Sequence, residues 1–286
     1  MFPGAVADRG DADYVVVGAP LDATTTFQPG TRFGPDRVRR FAEPFDDYDR
    51  RTDSFFSDCA VHDAGDVPPW DAVGDYLDHL AAELRAAALD DAVPVTVGGE
   101  HTVTWSGVRA TDPDVLVTLD AHLDLRDDYD GNPLSHACVA RRCLDGGDES
   151  GDESASTDAE HATVDELVVL GARTGSREEW ERADAPDVTV VPPADVADWT
   201  PEFGDRDVYL SVDVDAADPG FAPGTGTMEP FGLTPRAMRR VVRAVAPRCV
   251  GADVVEVNDR DDGQTAALAA KLLREFVFSH ADGDAD

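Results

Sequence analysis

The stretch Val115-Leu116-Val117-Thr118-Leu119-Asp120-Ala121-His122-Leu123-Asp124 changes abruptly from apolar residues to carboxylates and an imidazole. A short, valine-rich run of this kind predicts a strand that is buried on both faces, as in a parallel sheet. Ligand sites of open α/β sheets form outside the carboxyl ends of such strands. If the backbone stays extended, Asp120, His122 and Asp124 point the same way, and the two carboxylates repel each other without a cation. This stretch favours a metal site over a polar strand exit.

Two other apolar runs end in the same residue types. Residues 208–212 precede Asp213 and Asp215, which again share a face of an extended strand. Residues 93–97 run into two glycines, a glutamate and His101, and the glycines permit a tight turn with close backbone approach. Taken alone, the histidine could be a simple turn residue, and an arginine could neutralise the two acids.

Together the three segments supply four aspartates and two histidines. The six candidate metal ligands are His101, Asp120, His122, Asp124, Asp213 and Asp215. An oxygen-dominated set with imidazole suits Mn²⁺ better than a structural zinc. The number is large for one ion but natural for two ions that share bridging carboxylates. Two divalent ions about 3.5–4 Å apart can hold a hydroxide between them and lower its pKa toward neutrality. The sequence therefore predicts two Mn²⁺ ions and a hydrolytic reaction.

Apolar runs alternate with amphipathic stretches along the chain, which predicts an α/β fold with a mainly parallel central sheet. The predicted strands cover residues 14–17, 93–97, 115–119, 167–170, 188–191, 208–212 and 250–257. Helical spacing of apolar residues is visible over 73–88, 238–245 and 265–278. No linker divides the chain, so a single domain over 1–286 is expected. Residues 145–165 are rich in Gly, Ser, Asp and Glu, and we expect them to form an exposed acidic insertion.

The charge balance limits the classes of partner. Acidic residues outnumber basic ones by 59 to 24, and the formal net charge of the 286 residues is −35. Such a chain would repel nucleic acid and anionic membranes. The acids are spread along the whole chain, which favours a solvated surface suited to the saline cytoplasm of a halophile over steering of a cationic substrate. No apolar run approaches the roughly 18 residues of a membrane span and no signal peptide is visible, so a cytoplasmic protein is expected.

Several motifs follow one another along nearly the whole chain. They are Gly-Gly-Glu-His (98–101), Asp-Ala-His-Leu-Asp (120–124), Ser-Val-Asp-Val-Asp-Ala-Ala-Asp-Pro (211–219), Ala-Pro-Gly-Thr-Gly-Thr (222–227) and Asp-Val-Val-Glu-Val (253–257). In combination they resemble the ureohydrolases, the family of arginase, agmatinase, guanidinobutyrase and formiminoglutamase. Residues 18–22 and 29–35 look most like the agmatinase branch. The resemblance implies a three-layer α/β/α arginase-like fold with two Mn²⁺ ions at the strand ends.

The resemblance also implies roles for individual residues. One ion would be held by His101, Asp120, Asp124 and Asp213, and the other by Asp120, His122, Asp213 and Asp215. His136 matches the family histidine near the guanidinium, a proton donor or shuttle, and Glu256 matches the acid that pairs with the guanidinium. Asp124 could orient the attacking hydroxide. Because members of the family commonly form trimers or hexamers, a homo-oligomer is expected.

The implied reaction is hydrolysis of a small cationic guanidinium compound to urea and an amine, most specifically agmatine to putrescine. The loop over 125–134 contains Arg126 and several acids, and these acids suit a diamine tail without a carboxylate. Arginine, guanidinobutyrate and formiminoglutamate remain alternative substrates. A deacetylase of the same architecture, or a regulatory metal-binding homologue without catalysis, is the alternative from another class.

Overall fold

The computed structural model describes residues 1–146 and 163–283. Its strands are β1 (Tyr14–Ala19), β2 (Tyr48–Asp49), β3 (Ser54–Phe55), β4 (Val61–Asp66), β5 (Val93–Gly98), β6 (Val115–Leu119), β7 (Glu166–Leu170), β8 (Val188–Val191), β9 (Val208–Asp213) and β10 (Cys249–Val255). Its α-helices are α1 (Gly34–Ala42), α2 (Val73–Leu89), α3 (Val103–Thr111), α4 (Val139–Asp145), α5 (Arg177–Ala183), α6 (Pro235–Val245) and α7 (Gln264–Gly283). Eight strands form one sheet in the order β4-β1-β5-β10-β9-β6-β7-β8, and every neighbouring pair is parallel. The short strands β2 and β3 form a separate antiparallel hairpin.

Helices cover both faces of the sheet because the strands are apolar on both sides. In β1, Tyr14 and Val16 belong to the buried cluster that includes residues of α1, α6 and α7. Val15 and Val17 point the other way, into the cluster that includes residues of α2, α3 and α4. This alternation is the period of two that an extended strand imposes. The three-layer α/β/α architecture with a parallel central sheet is therefore confirmed.

All seven predicted strands are present; two have the predicted bounds, and the ends of the other five shift by one or two residues. The prediction missed β4, whose sequence Val-His-Asp-Ala-Gly-Asp shows little apolar character. As an edge strand of the sheet, β4 needs to bury fewer side chains than a central strand does. The prediction also missed α3, because eight of its nine residues are buried and no polar face marks the helical period.

A buried ion pair joins α1 to β4. Arg39 donates from Nε and Nη2 to the two oxygens of Asp63, each at 2.8 Å. Both residues are 8% exposed. Burial alone would raise the pKa of Asp63, but the Arg39 guanidinium outweighs it and lowers this pKa. The geometry is bidentate, which is the strongest form of such a pair.

Three further observations concern the surface and the cysteines. The acidic insertion predicted at about 145–165 falls mostly on residues 147–162, outside the described residues. Within the described ranges, no helix combines the length and the apolar character that crossing a bilayer requires. All four cysteines, Cys59, Cys138, Cys143 and Cys249, are free.

Candidate metal centre

The predicted site lies at the edge of the sheet where the carboxyl ends of its four central strands meet. These strands are β5, β10, β9 and β6. His101 follows β5, Asp213 ends β9, and Asp120 follows β6 directly. Carboxyl ends of adjacent parallel strands lie side by side, so residues far apart in sequence meet there. The ligand atoms of His101, Asp120 and Asp124 lie within 4.8 Å of one another, as do those of Asp120, His122 and Asp215.

Asp213 completes the cluster, because its Oδ2 lies 3.4 Å from His101 Nδ1. The structure thus brings together all six side chains that the sequence offers as metal ligands. None of the six is displaced to another part of the fold.

The local backbone differs from the extended alternation expected for these residues. Strand β6 ends at Leu119, and the His122 N–H turns back to donate to Asp120 Oδ1 at 2.7 Å. Asp124 adopts a left-handed conformation with φ of 51°. Asp215 lies in a 3₁₀ turn and donates its N–H to Asp213 Oδ1 at 2.8 Å. The expectation of a continued strand was wrong, because the carboxylates themselves accept the backbone N–H groups that a strand would pair with a neighbour.

His101 shows that the cluster fits a cation. Its Nδ1 lies 3.1 Å from Asp120 Oδ2, 3.0 Å from Asp124 Oδ2 and 3.4 Å from Asp213 Oδ2. Within the described structure, this buried nitrogen satisfies no hydrogen bond. The other ring nitrogen, Nε2, is 3.1 Å from Ser211 Oγ. A nitrogen that faces three oxygens without hydrogen-bond geometry is placed as a metal ligand is placed.

The electrostatics of the cluster agree with this reading. Burial, together with repulsion from Asp215 and Asp120, raises the pKa of Asp213 well above its usual value. Burial and the charge of Asp120 raise the pKa of Asp124 to about 6. In the described ranges, no lysine or arginine lies within 4 Å of these carboxylates. The four buried acids therefore share two imidazoles, and divalent cations would remove the excess negative charge.

His136 and Glu256 form a hydrogen-bonded pair beside the cluster. His136 Nδ1 lies 3.2 Å from Glu256 Oε1, and that oxygen also accepts the His101 N–H at 2.9 Å. The Thr26 N–H donates to His136 Nε2 at 3.1 Å. Because Nε2 accepts, the neutral ring holds its proton on Nδ1, toward Glu256. Burial opposes protonation of His136, but the contact with Glu256 outweighs it and raises the pKa of His136 to about 9.

A loop of three threonines ties His136 to the strand exit of β5. Thr24 donates from N and Oγ1 to the buried Glu100, at 2.8 and 2.7 Å, and Thr25 Oγ1 adds a third bond at 3.1 Å. The same Thr24 Oγ1 accepts the His136 N–H at 2.9 Å. Burial raises the pKa of Glu100 to about 7. No local pattern in the sequence points to these threonines, because their partners are 75 or more residues away.

A cavity of about 330 Å³ opens over this cluster. His122, Asp124, Asp213, Asp215, His136 and Glu256 all line it. From the loop over 125–134, Arg126 and Tyr129 line the cavity. Two of the three acids of that loop serve other contacts, since Asp127 pairs with Arg142 at 3.0 Å and Asp128 accepts the Gly131 N–H at 2.8 Å. The third, Asp130, is not among the residues that line the cavity. The expectation that these acids face a substrate tail finds no support in the geometry.

Comparison with known proteins agrees with the fold and the cluster. The chain matches the Arginase family over residues 12–279. It is 33% identical to the agmatinase of Bacillus subtilis (strain 168) over 283 residues, which cover 94% of this chain and 92% of that protein. The N(1)-aminopropylagmatine ureohydrolase of Thermococcus kodakarensis is 33% identical over 280 residues, with 92% and 88% covered. The crystal structure of the agmatine ureohydrolase of Thermoplasma volcanium superposes with a TM-score of 0.86 and 33% identity, covering 98% of this chain and 94% of that one. The chain belongs to the arginase family.

Proposed function

We propose that this protein hydrolyses a guanidino compound at a dinuclear Mn²⁺ centre, and that its substrate is agmatine, which yields putrescine and urea. The observation that supports the reaction class is the convergence of four buried aspartates, two imidazoles and the His136–Glu256 pair in one cavity. Relatives that cover nearly the whole chain are an agmatinase and an aminopropylagmatine ureohydrolase. Both are named for guanidines with a cationic tail.

In this proposal one ion is held by His101, Asp120, Asp124 and Asp213, and the other by Asp120, His122, Asp213 and Asp215. The mixture of carboxylate oxygens and imidazole nitrogens, with carboxylates available to bridge, suits Mn²⁺. When bound, the ions would supply the activation of a water molecule for attack on the planar guanidinium carbon. Asp124, which lines the cavity, would orient that water by accepting a hydrogen bond from it.

Glu256 and His136 act on the substrate directly. The contacts with His136 and the His101 N–H overcome the effect of burial and lower the pKa of Glu256, so its carboxylate stays ionised. An ionised carboxylate pairs with the NH₂ groups of a guanidinium. His136 lies at hydrogen-bond distance from this carboxylate and delivers a proton to the leaving amine, as general acid catalysis requires.

The test is product release by the Mn²⁺-loaded protein from agmatine, arginine, 4-guanidinobutyrate and formiminoglutamate. We expect urea and putrescine from agmatine at the highest kcat/KM. His136→Asn should lower kcat by roughly 100- to 10,000-fold, the usual contribution of a general acid. Its metal content should stay at the wild-type level, because His136 is not among the ligands. A protein that loads with metal but turns over none of the four compounds would refute the proposal, and a preference for arginine would refute the agmatine assignment.

A further inference from the structure

The cavity holds more carboxylates than the proposed chemistry uses. Six carboxylates line it: Asp124, Glu179, Asp213, Asp215, Glu229 and Glu256. The three aspartates belong to the metal cluster, and Glu256 is bonded to His136 and to the His101 N–H. The two remaining glutamates lie outside the cluster, Glu179 on α5 and Glu229 in the loop before α6. Their surroundings differ.

Glu179 is committed to the fold. It is 3% exposed and closes the capping box at the start of α5, where it accepts the Ser176 N–H at 2.7 Å. Its other oxygen accepts the Leu125 N–H at 3.3 Å. The Arg126 Nε lies 3.4 Å from Glu179 Oε2. This carboxylate is therefore fully occupied by partners from the protein itself.

Glu229 has a fixed backbone and an unpaired carboxylate. Arg173 Nη2 donates to the Glu229 carbonyl at 2.7 Å and to the Asp215 carbonyl at 2.8 Å, which links this loop directly to a metal ligand. Asp218 Oδ2 accepts the Phe231 N–H at 2.8 Å on the far side of the loop. Across the described ranges, the carboxylate of the half-buried Glu229 makes no hydrogen bond and no ion pair, and Arg173 bonds to the carbonyl of this residue instead.

The cation at the same cavity is already neutralised. Arg126 is the one arginine or lysine that lines the cavity in the described part of the chain. Its guanidinium lies beside Glu179 and packs over the Tyr129 ring at 5.1 Å from the centroid. Outside the metal cluster, the cavity thus presents to a substrate tail the unpaired negative charge of Glu229 and the positive charge of Arg126, which Glu179 already neutralises.

On the basis of the proposed function, we infer that Glu229 is a specificity residue that binds the distal ammonium of an aminoalkylguanidine. A carboxylate at this place attracts the ammonium of agmatine or of a longer polyamine. It repels the carboxylate of 4-guanidinobutyrate, and it favours substrates without the α-carboxylate of arginine. The hydrogen bond from Arg173 to the Glu229 carbonyl fixes the backbone of this residue at the cavity before the substrate binds.

The experiment compares agmatine with pentylguanidine, in which a methyl group replaces the ammonium of an equally long tail. In Glu229→Gln, the ratio of kcat/KM for agmatine to that for pentylguanidine should fall roughly 10- to 100-fold, the effect of removing one charged hydrogen bond. The change should lie mainly in KM. Glu229→Asp keeps the charge and should retain more of the ratio. Glu178→Gln, an exposed change on α5 that alters the net charge equally, should leave the ratio at its wild-type value.

Calorimetric binding of agmatine and pentylguanidine to Mn²⁺-loaded His136→Asn, with and without Glu229→Gln, gives the same ratio with turnover suppressed. A chain that hydrolyses none of the guanidines would therefore refute the proposed function while the ratio of Kd values still tests Glu229. If Glu229→Gln weakens both compounds by the same factor, or leaves both unchanged, the inference is overturned. If Glu178→Gln lowers the ratio as much as Glu229→Gln does, the effect belongs to the overall charge of the protein, and the inference is again overturned.

Discussion

Between α1 and β4, the buried carboxylate of Asp63 lies against the guanidinium of Arg39, whereas at the ends of β6 and β9 four buried aspartates share two imidazoles. Both regions place acids where water is excluded. In the first, the fold supplies a cation of its own and the pKa of the acid is lowered. In the second, the acids face one another and the pKa of Asp213 is raised. The difference separates carboxylates that the fold neutralises with its own arginine from carboxylates that could hold a cation from outside.

The largest effect should follow from changing Asp213, the carboxylate that would serve both ions in the proposed centre. Asp213→Asn keeps the size of the side chain but removes its charge, so we expect metal binding to weaken and guanidine hydrolysis to fall to background. Metal content after gel filtration and the rate of urea release measure the two effects. The same substitution at the exposed Asp205 is the matched control and should change neither. Full activity of Asp213→Asn would show that the aspartate cluster, like the Arg39–Asp63 pair, does not depend on an external cation.

A smaller effect is expected from the region that neutralises itself. Asp63→Asn leaves the buried Arg39 with only one charge partner, the more exposed Asp66, and should lower the free energy of unfolding by about 3 kcal/mol. Denaturant unfolding in excess Mn²⁺ measures this loss, and the folded variant should keep the wild-type kcat. Replacing both partners with apolar residues, Arg39→Met with Asp63→Leu, should recover part of the stability, because the Phe2 and Gly65 N–H groups still lose the carboxylate that accepts them. A double variant as unstable as the single one would contradict this view.

The pH dependence of the Asp63 effect has a definite sign. The folded state lowers the pKa of this acid below its ordinary value of 3.8, so the folded protein binds fewer protons there than the unfolded chain. The stability from the pair is present above that value and is lost as the pH falls through the folded pKa. The difference between wild type and Asp63→Asn should therefore shrink under acid conditions.

The smallest expected effect is an increase in stability, opposite to the loss expected for Asp63→Asn. In metal-free protein, Asp213→Asn removes one of the crowded negative charges and should raise the free energy of unfolding by about 1–2 kcal/mol. Added Mn²⁺ should then stabilise wild type but not the variant, because only the wild type binds the ions tightly. Thermal unfolding with chelator and with Mn²⁺ gives both numbers. A metal-free variant less stable than metal-free wild type would show that the aspartates are not in electrostatic conflict.

Much of the site could be predicted because its ligands follow apolar strands. A valine-rich run that ends in Asp, as at Leu119–Asp120, is a local signal that needs no knowledge of the fold. The family resemblance then singled out His136 and Glu256. Other contacts have no local signal in the sequence. Glu100, for example, accepts hydrogen bonds from Thr24 and Thr25, which lie 75 or more residues away. Their hydrogen bonds depend on how the chain returns to the strand edge.

By itself, the sequence determined the parallel sheet, the six candidate ligands and the excess of acidic residues, because each of these depends only on residue types and their spacing. The tertiary structure decided which buried carboxylates lie next to a positively charged side chain. It placed Arg39 on Asp63, turned Asp124 and Glu256 into left-handed backbone at the strand exits, and left the carboxylate of Glu229 unpaired at the cavity. The physical reason is that the pKa and the role of a buried carboxylate are set by charges a few ångströms away, and those charges come from distant parts of the chain.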